Sequence, residues 1–141
     1  MEADGSVATM CGNGLRCVVR RLLEDGRWGQ DSGVIDSAVG PIPFRVQGDE
    51  IVVTLGRPRL LDGHPIEVAG VRGVRVDMGN PHFVVFAGDQ PLPDLLEWAP
   101  DLEMASAFPD RTNVEIVRID GPDLLRLRVW ERGVGETEAC G

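Results

Sequence analysis

One amphipathic helical pattern followed by many short apolar runs leaves this chain few ways to fold. After Met10-Cys11-Gly12-Asn13-Gly14, the residues Leu15, Val18, Val19, Leu22 and Leu23 recur at i, i+3, i+4, i+7 and i+8. That spacing predicts a helix over 13–25 with one apolar face. Gly26 stands where a helix stop belongs. The period then changes. Val34–Val39, Pro43–Val46 and Glu50–Leu55 read as strands, with Gln47-Gly48-Asp49 as a hairpin turn between the last two. Gly56-Arg57-Pro58 breaks the pattern, and Leu60 to Pro65 reads as a linker.

Further strands are expected at 66–69, 73–78, Phe83–Phe86, Val114–Ile119 and Leu124–Trp130. Pro93 to Ala107 is expected to be helical, interrupted at Pro100. Asp120-Gly121-Pro122-Asp123 supplies a turn. In the last strand Leu125, Leu127 and Val129 alternate with Arg126 and Arg128, the pattern of a sheet with one wet face. The reading is α+β with mostly antiparallel sheet, divided into domains 1–60 and 61–141.

The net charge of −9 argues against nucleic acid and anionic membrane as partners. No apolar run approaches the roughly 18 residues of a membrane span. The acidic start, Met1-Glu2-Ala3-Asp4, has no signal-peptide pattern. The expectation is a soluble, cytoplasmic protein. Three cysteines (Cys11, Cys17, Cys140) with no Cys-x-x-Cys suggest neither a disulfide framework nor a zinc site. With only His64 and His82 beside them, no metal centre is expected. Cys17 falls off the apolar stripe, a turn and a half into the helix, and reads as packing.

Cys11 is different, because it sits at the helix start. Unpaired N–H groups and the positive end of the helix dipole point there, and such positions favour the thiolate. The flanking glycines leave the backbone bare, so a carboxylate could reach those N–H groups. One stretch therefore offers a reactive thiol beside an anion seat; a buried structural cysteine is the plainer alternative.

The other end, Trp130-Glu131-Arg132-Gly133-Val134-Gly135-Glu136-Thr137-Glu138-Ala139-Cys140-Gly141, closes on a second Cys-Gly. Together with Ala3-Asp4-Gly5-Ser6, the Cys11 stretch, Asp77-Met78-Gly79-Asn80-Pro81-His82-Phe83 and Arg111-Thr112-Asn113-Val114, it resembles the diaminopimelate epimerase family. The resemblance implies two similar domains, each a mostly antiparallel sheet wrapped around a central helix. It implies a cofactor-independent epimerisation of LL-2,6-diaminopimelate to meso-diaminopimelate, in lysine and peptidoglycan precursor biosynthesis, with a homodimer possible. Cys11 and Cys140 become the acid and base, and His82 and Glu131 support them electrostatically. Gly12, Asn13 and Gly141 supply backbone N–H groups to the substrate carboxylate. Asn80, Asn113, Glu131 and Arg132 become substrate contacts.

The chain departs from the family in places. The family is longer at both ends and continues past the second Cys-Gly into a helix, so an incomplete excerpt is expected here. Glu2 stands where the family has asparagine. Two alternatives remain: an inactive epimerase fragment, and an enzyme like the proline racemases and hydroxyproline epimerases. The latter usually carry histidine where Asn13 stands.

Overall fold

The computed structural model describes residues 11–138. Those residues fall into two compact units, which divide between Arg57 and Pro58.

The first unit is one helix on one small sheet. Helix α1 spans Gly12–Glu24 and ends at Asp25. Gly26 follows with φ +64°, a left-handed stop that glycine adopts without strain. Strands β1 (Ser32–Ser37), β2 (Gly40–Gln47) and β3 (Glu50–Val53) form an antiparallel meander in that order. Gln47 pairs with Glu50, so the β2–β3 hairpin turns at Gly48-Asp49 as expected. Val19, Ile42 and Phe44 are the buried apolar residues here, and Trp28 packs on Phe44 with ring centroids 5.7 Å apart and the rings tilted by 59°. Two expectations fail on the helix. Val18, on the apolar stripe, is half exposed, and Cys17, read as packing, is exposed. The sheet has three strands, too few to reach both flanks of the helix.

The second unit is built on a wider sheet. Its strands are β4 (Arg59–Leu60), β5 (Ile66–Val68), β6 (Val71–Asp77), β7 (Pro81–Phe86), β8 (Asn113–Gly121), β9 (Leu124–Glu131) and β10 (Gly135–Thr137). They lie in the order β10-β9-β8-β7-β6-β4, with β5 added on β6. Every pairing is antiparallel except β7 with β8, which is parallel. A parallel pair needs a crossover. Here the crossover carries a 3₁₀ turn, Leu95–Glu97, and helix α2, Ala99–Glu103. Pro100 does not interrupt a longer helix; it stands in the first turn of α2, where its missing N–H costs nothing. Leu95, Ala99, Leu102 and Phe108 from the crossover bury Phe83, Val85, Val114 and Ile116 of the sheet. Each such large side chain contributes about 1.5–3 kcal/mol of transfer free energy.

Three further corrections concern this sheet. Strand β7 begins at Pro81, not Phe83, so His82 is a strand residue and not part of a turn; proline is tolerated as a first strand residue. Strand β10 was not anticipated: Glu131 pairs with Gly135 across a three-residue loop in which Gly133 takes φ +73°. The alternation of β9 also does not leave a single wet face: Arg126 keeps 60% of its side chain exposed, and the leucines on the other face are exposed too. Arg128 is drawn against the crossover, donating from Nη1 to the Pro93 carbonyl at 2.6 Å. Leu125 and Leu127, at 63% and 51% exposure, lie open with Phe86 and Ile119. The crossover packs on the Arg128 side; on the other face Val129, Val117 and Glu115 are buried, while Leu125, Leu127 and Ile119 are open.

Candidate active site

Cys11 is the N-cap of α1. Its backbone is extended (φ −151°, ψ 99°), and its Sγ accepts the Gly14 N–H at 3.3 Å. The Leu15 N–H bonds the Cys11 carbonyl at 3.0 Å and starts the helical ladder. The N–H groups of Gly12 and Asn13 are left as first-turn donors. A Cβ on Gly14 would sit 3.3 Å from the Cys11 sulfur, so glycine there lets the N–H reach the thiol closely. The Asn13 side chain turns back along the helix, its Oδ1 accepting from Arg16. The thiol itself is exposed. The sulfur therefore stands exposed at the N-terminal, positive end of a 13-residue helix.

The remaining described candidates gather at one end of the second unit's sheet. The β6–β7 turn is pinned first. The Asp77 carboxylate accepts the Gly79 N–H at 2.7 Å and pairs with Arg59 at 2.6 Å. The Gly79 N–H first, and the Arg59 guanidinium next, hold that carboxyl below the usual carboxylate range. Gly79 takes φ +99°, and this tight turn presents Asn80. His82 follows, at the level of Asn113 on β8. Its Nε2 lies 2.9 Å from Asn80 Oδ1, and its Nδ1 lies 2.6 Å from Glu115 Oε1.

Asn113 joins two backbones. Its Nδ2 donates to the Pro81 carbonyl and its Oδ1 accepts the Arg132 N–H, both at 2.9 Å. It thereby fixes the end of β9 to the start of β7. Glu131 accepts from the Thr137 hydroxyl at 2.8 Å. The Arg132 guanidinium donates to the Asp110 carbonyl at 3.1 Å. Beneath the β9–β10 loop, buried Glu103 accepts the Trp130 Nε1–H at 2.7 Å and the Gly133 N–H at 2.9 Å.

The structure thus brings Asn80, His82, Asn113, Glu131 and Arg132 together within one unit, and sets Cys11, Gly12 and Asn13 on one turn of the other. Cys140 and Gly141 lie outside the described residues, as do Glu2 and the Ala3–Ser6 segment. Glu115 and Glu103 were missed from the sequence. The only signal was a carboxylate inside an apolar strand for the first, and none for the second. Among the described residues no cluster of histidine, cysteine and carboxylate side chains is grouped to hold a metal ion. No helix among the described residues is long and apolar enough to cross a membrane.

With both described thiols exposed, their environments decide their reactivity. Brief treatment with limiting iodoacetamide is expected to label Cys11 ahead of Cys17, because Cys11 caps the helix start and its sulfur accepts the Gly14 N–H. Peptide mass mapping reads the ratio; faster labelling of Cys17 would refute the assignment.

The family model described as "Diaminopimelate epimerase" matches residues 74–141. The chain is 42% identical to the diaminopimelate epimerase of Thermosynechococcus vestitus, over 99% of this chain and 56% of that protein. It is 42% identical to that of Bacteroides thetaiotaomicron, over 99% and 55%. It is 36% identical to that of Elusimicrobium minutum, over 100% and 58%. The chain spans about half the length of the curated relatives it matches. Among solved structures, it is similar in fold to the Bacillus anthracis phenazine biosynthesis protein of the PhzF family. The TM-score is 0.59 at 15% identity, covering 95% of this chain and 54% of that one.

Proposed function

Because this chain belongs to the diaminopimelate epimerase family over the part it spans, we propose that it carries machinery for interconverting LL- and meso-diaminopimelate by proton transfer at one α-carbon. Epimerisation takes a proton from one face of the carbon and delivers another to the opposite face, so two groups must share the work. Cys11 and Cys140 take these roles. In one direction the Cys140 thiolate removes the α-proton while the Cys11 thiol gives up its own to the other face; the reverse direction exchanges the parts. The carbon passes through a carbanion, and the negative charge spreads onto the substrate carboxylate. Gly12 and Asn13 meet that charge with backbone N–H groups at the start of α1, and Gly141 serves in the same way. Preorganised donors of this kind act without reorganising as charge develops.

Asn80 and Asn113 contact the substrate, and Arg132 grips its distal carboxylate in the bidentate manner open to a guanidinium. The family resemblance gives Glu131 and His82 the part of supporting the thiols electrostatically. The reaction draws on these side chains with no added cofactor, and its product feeds lysine and peptidoglycan precursors. The observation that carries this reading is Cys11 at the cap of α1, with its sulfur on the Gly14 N–H.

The test is α-proton exchange. The chain is incubated in heavy water with LL- or meso-diaminopimelate, and deuterium at the α-carbon is followed by NMR. Incorporation from both isomers, with interconversion between them, is expected. A folded chain that exchanges neither isomer would refute catalysis by this chain.

A further inference from the structure

Glu115 lies in the middle of β8, between Val114 and Ile116, which pack into the core of the second unit. A carboxylate is costly there unless it is paired. Its partner is His82. The two side chains keep only 13% and 8% of their surface in contact with solvent, and Nδ1 stands 2.6 Å from Oε1. The ladder allows this meeting. His82 is level with Asn113, and Glu115 is two residues further along β8, on the same face.

We propose that Glu115 is the positioning residue for His82. An ionised carboxylate can only accept, so the imidazole must present a hydrogen on Nδ1 to it. That fixes the ring's rotation and tautomer and leaves Nε2 as the nitrogen that exchanges a proton. Nε2 faces Asn80 at 2.9 Å. When Nε2 carries a hydrogen, the Asn80 amide oxygen accepts it; when Nε2 is bare, the amide must turn its NH₂ toward the ring. The proton on His82 therefore sets which end of the Asn80 amide remains for a ligand. The second Glu115 oxygen, Oε2, is buried and has no donor among the described residues. The catalytic meaning of the pair rests on the epimerase reading above, but the tautomer does not.

Long-range ¹H–¹⁵N correlation of the imidazoles decides the matter. The chain has only two histidines, so His64 serves as an internal reference. The parent chain is expected to show His82 with a hydrogen on Nδ1. In Glu115→Gln the Nδ1–H signature should give way to a mixture of tautomers, and Glu115→Asp should restore part of it. In the exchange assay Glu115→Gln should lower kcat roughly tenfold while KM moves less than about twofold. An Nε2–H tautomer in the parent, or an unchanged His82 pattern in folded Glu115→Gln, would overturn the proposal. If circular dichroism shows that Glu115→Gln does not fold, the parent spectrum carries the decision in both directions. A parent chain that exchanges no α-proton defeats the epimerase reading, and the tautomer still decides whether Glu115 holds the ring.

Discussion

Replacing Cys11 by alanine is expected to cut α-deuterium incorporation by about a hundredfold to ten-thousandfold, the range over which a positioned proton carrier contributes. The loss should appear with both isomers of diaminopimelate, because each direction needs a carrier on each face. Alanine also removes the N-cap of α1, since the sulfur accepts the Gly14 N–H. A lost cap costs about 1 kcal/mol and could blur the result. Cys11→Ser separates the two effects. Serine caps a helix well, so that variant should keep its helix by circular dichroism. Its hydroxyl is a far weaker acid than a thiol, so only a trace of exchange should remain. Near-parental exchange by either variant would end the two-thiol mechanism.

The largest effect on stability is expected from Gly73→Ala. Gly73 is buried in β6, and a Cβ built there would stand 2.6 Å from Cζ of Phe83 and 2.8 Å from the Val84 carbonyl oxygen. Phe83 has no exposed surface and cannot swing away. The Val84 carbonyl belongs to the backbone of the neighbouring strand, so relief requires parting β6 from β7. Overpacking of this kind costs about 3 kcal/mol, enough to lower the midpoint of the second unit by roughly ten degrees or more. Gly33 is the comparison. A Cβ there would meet Trp28 and Phe44, but only at ring atoms of side chains. Gly33→Ala should therefore cost less, about 1–2 kcal/mol. Urea unfolding of both variants checks the order. A loss below about 1 kcal/mol for Gly73→Ala would show that the two strands yield.

Local patterns were the readable part of this chain. Helix α1 was legible because five apolar residues keep a 3.6-residue period, and the β2–β3 hairpin because Gly48-Asp49 parts two strand-like runs. The start of β7 reads as Phe83 in the sequence because Pro81 suggests a break, whereas a proline can open a strand whose ladder it need not join by N–H. The alternation in β9 revealed two faces but not which one the crossover would cover; that depends on Pro93 reaching Arg128 across 35 positions. The site divides in the same way. Cys11 announces itself through its neighbours Gly12 and Gly14. Glu115 and Glu103 are defined by partners 33 and 27 positions away, and no local rule reports such pairs.

The parallel pairing of β7 with β8 also orders events in time. Antiparallel neighbours such as β8 and β9 meet across a tight turn and can zip within microseconds. Strands β7 and β8 must wait for the whole crossover to close, and the entropy of that closure is lost before any contact repays it. His82, Asn113 and Glu115 stand on these two strands, and Phe83, Val85, Val114 and Ile116 stand on their opposite face. A single late step therefore seals the core and assembles the histidine–carboxylate pair. A nascent second unit is therefore expected to form its hydrophobic centre and its histidine–carboxylate pair together.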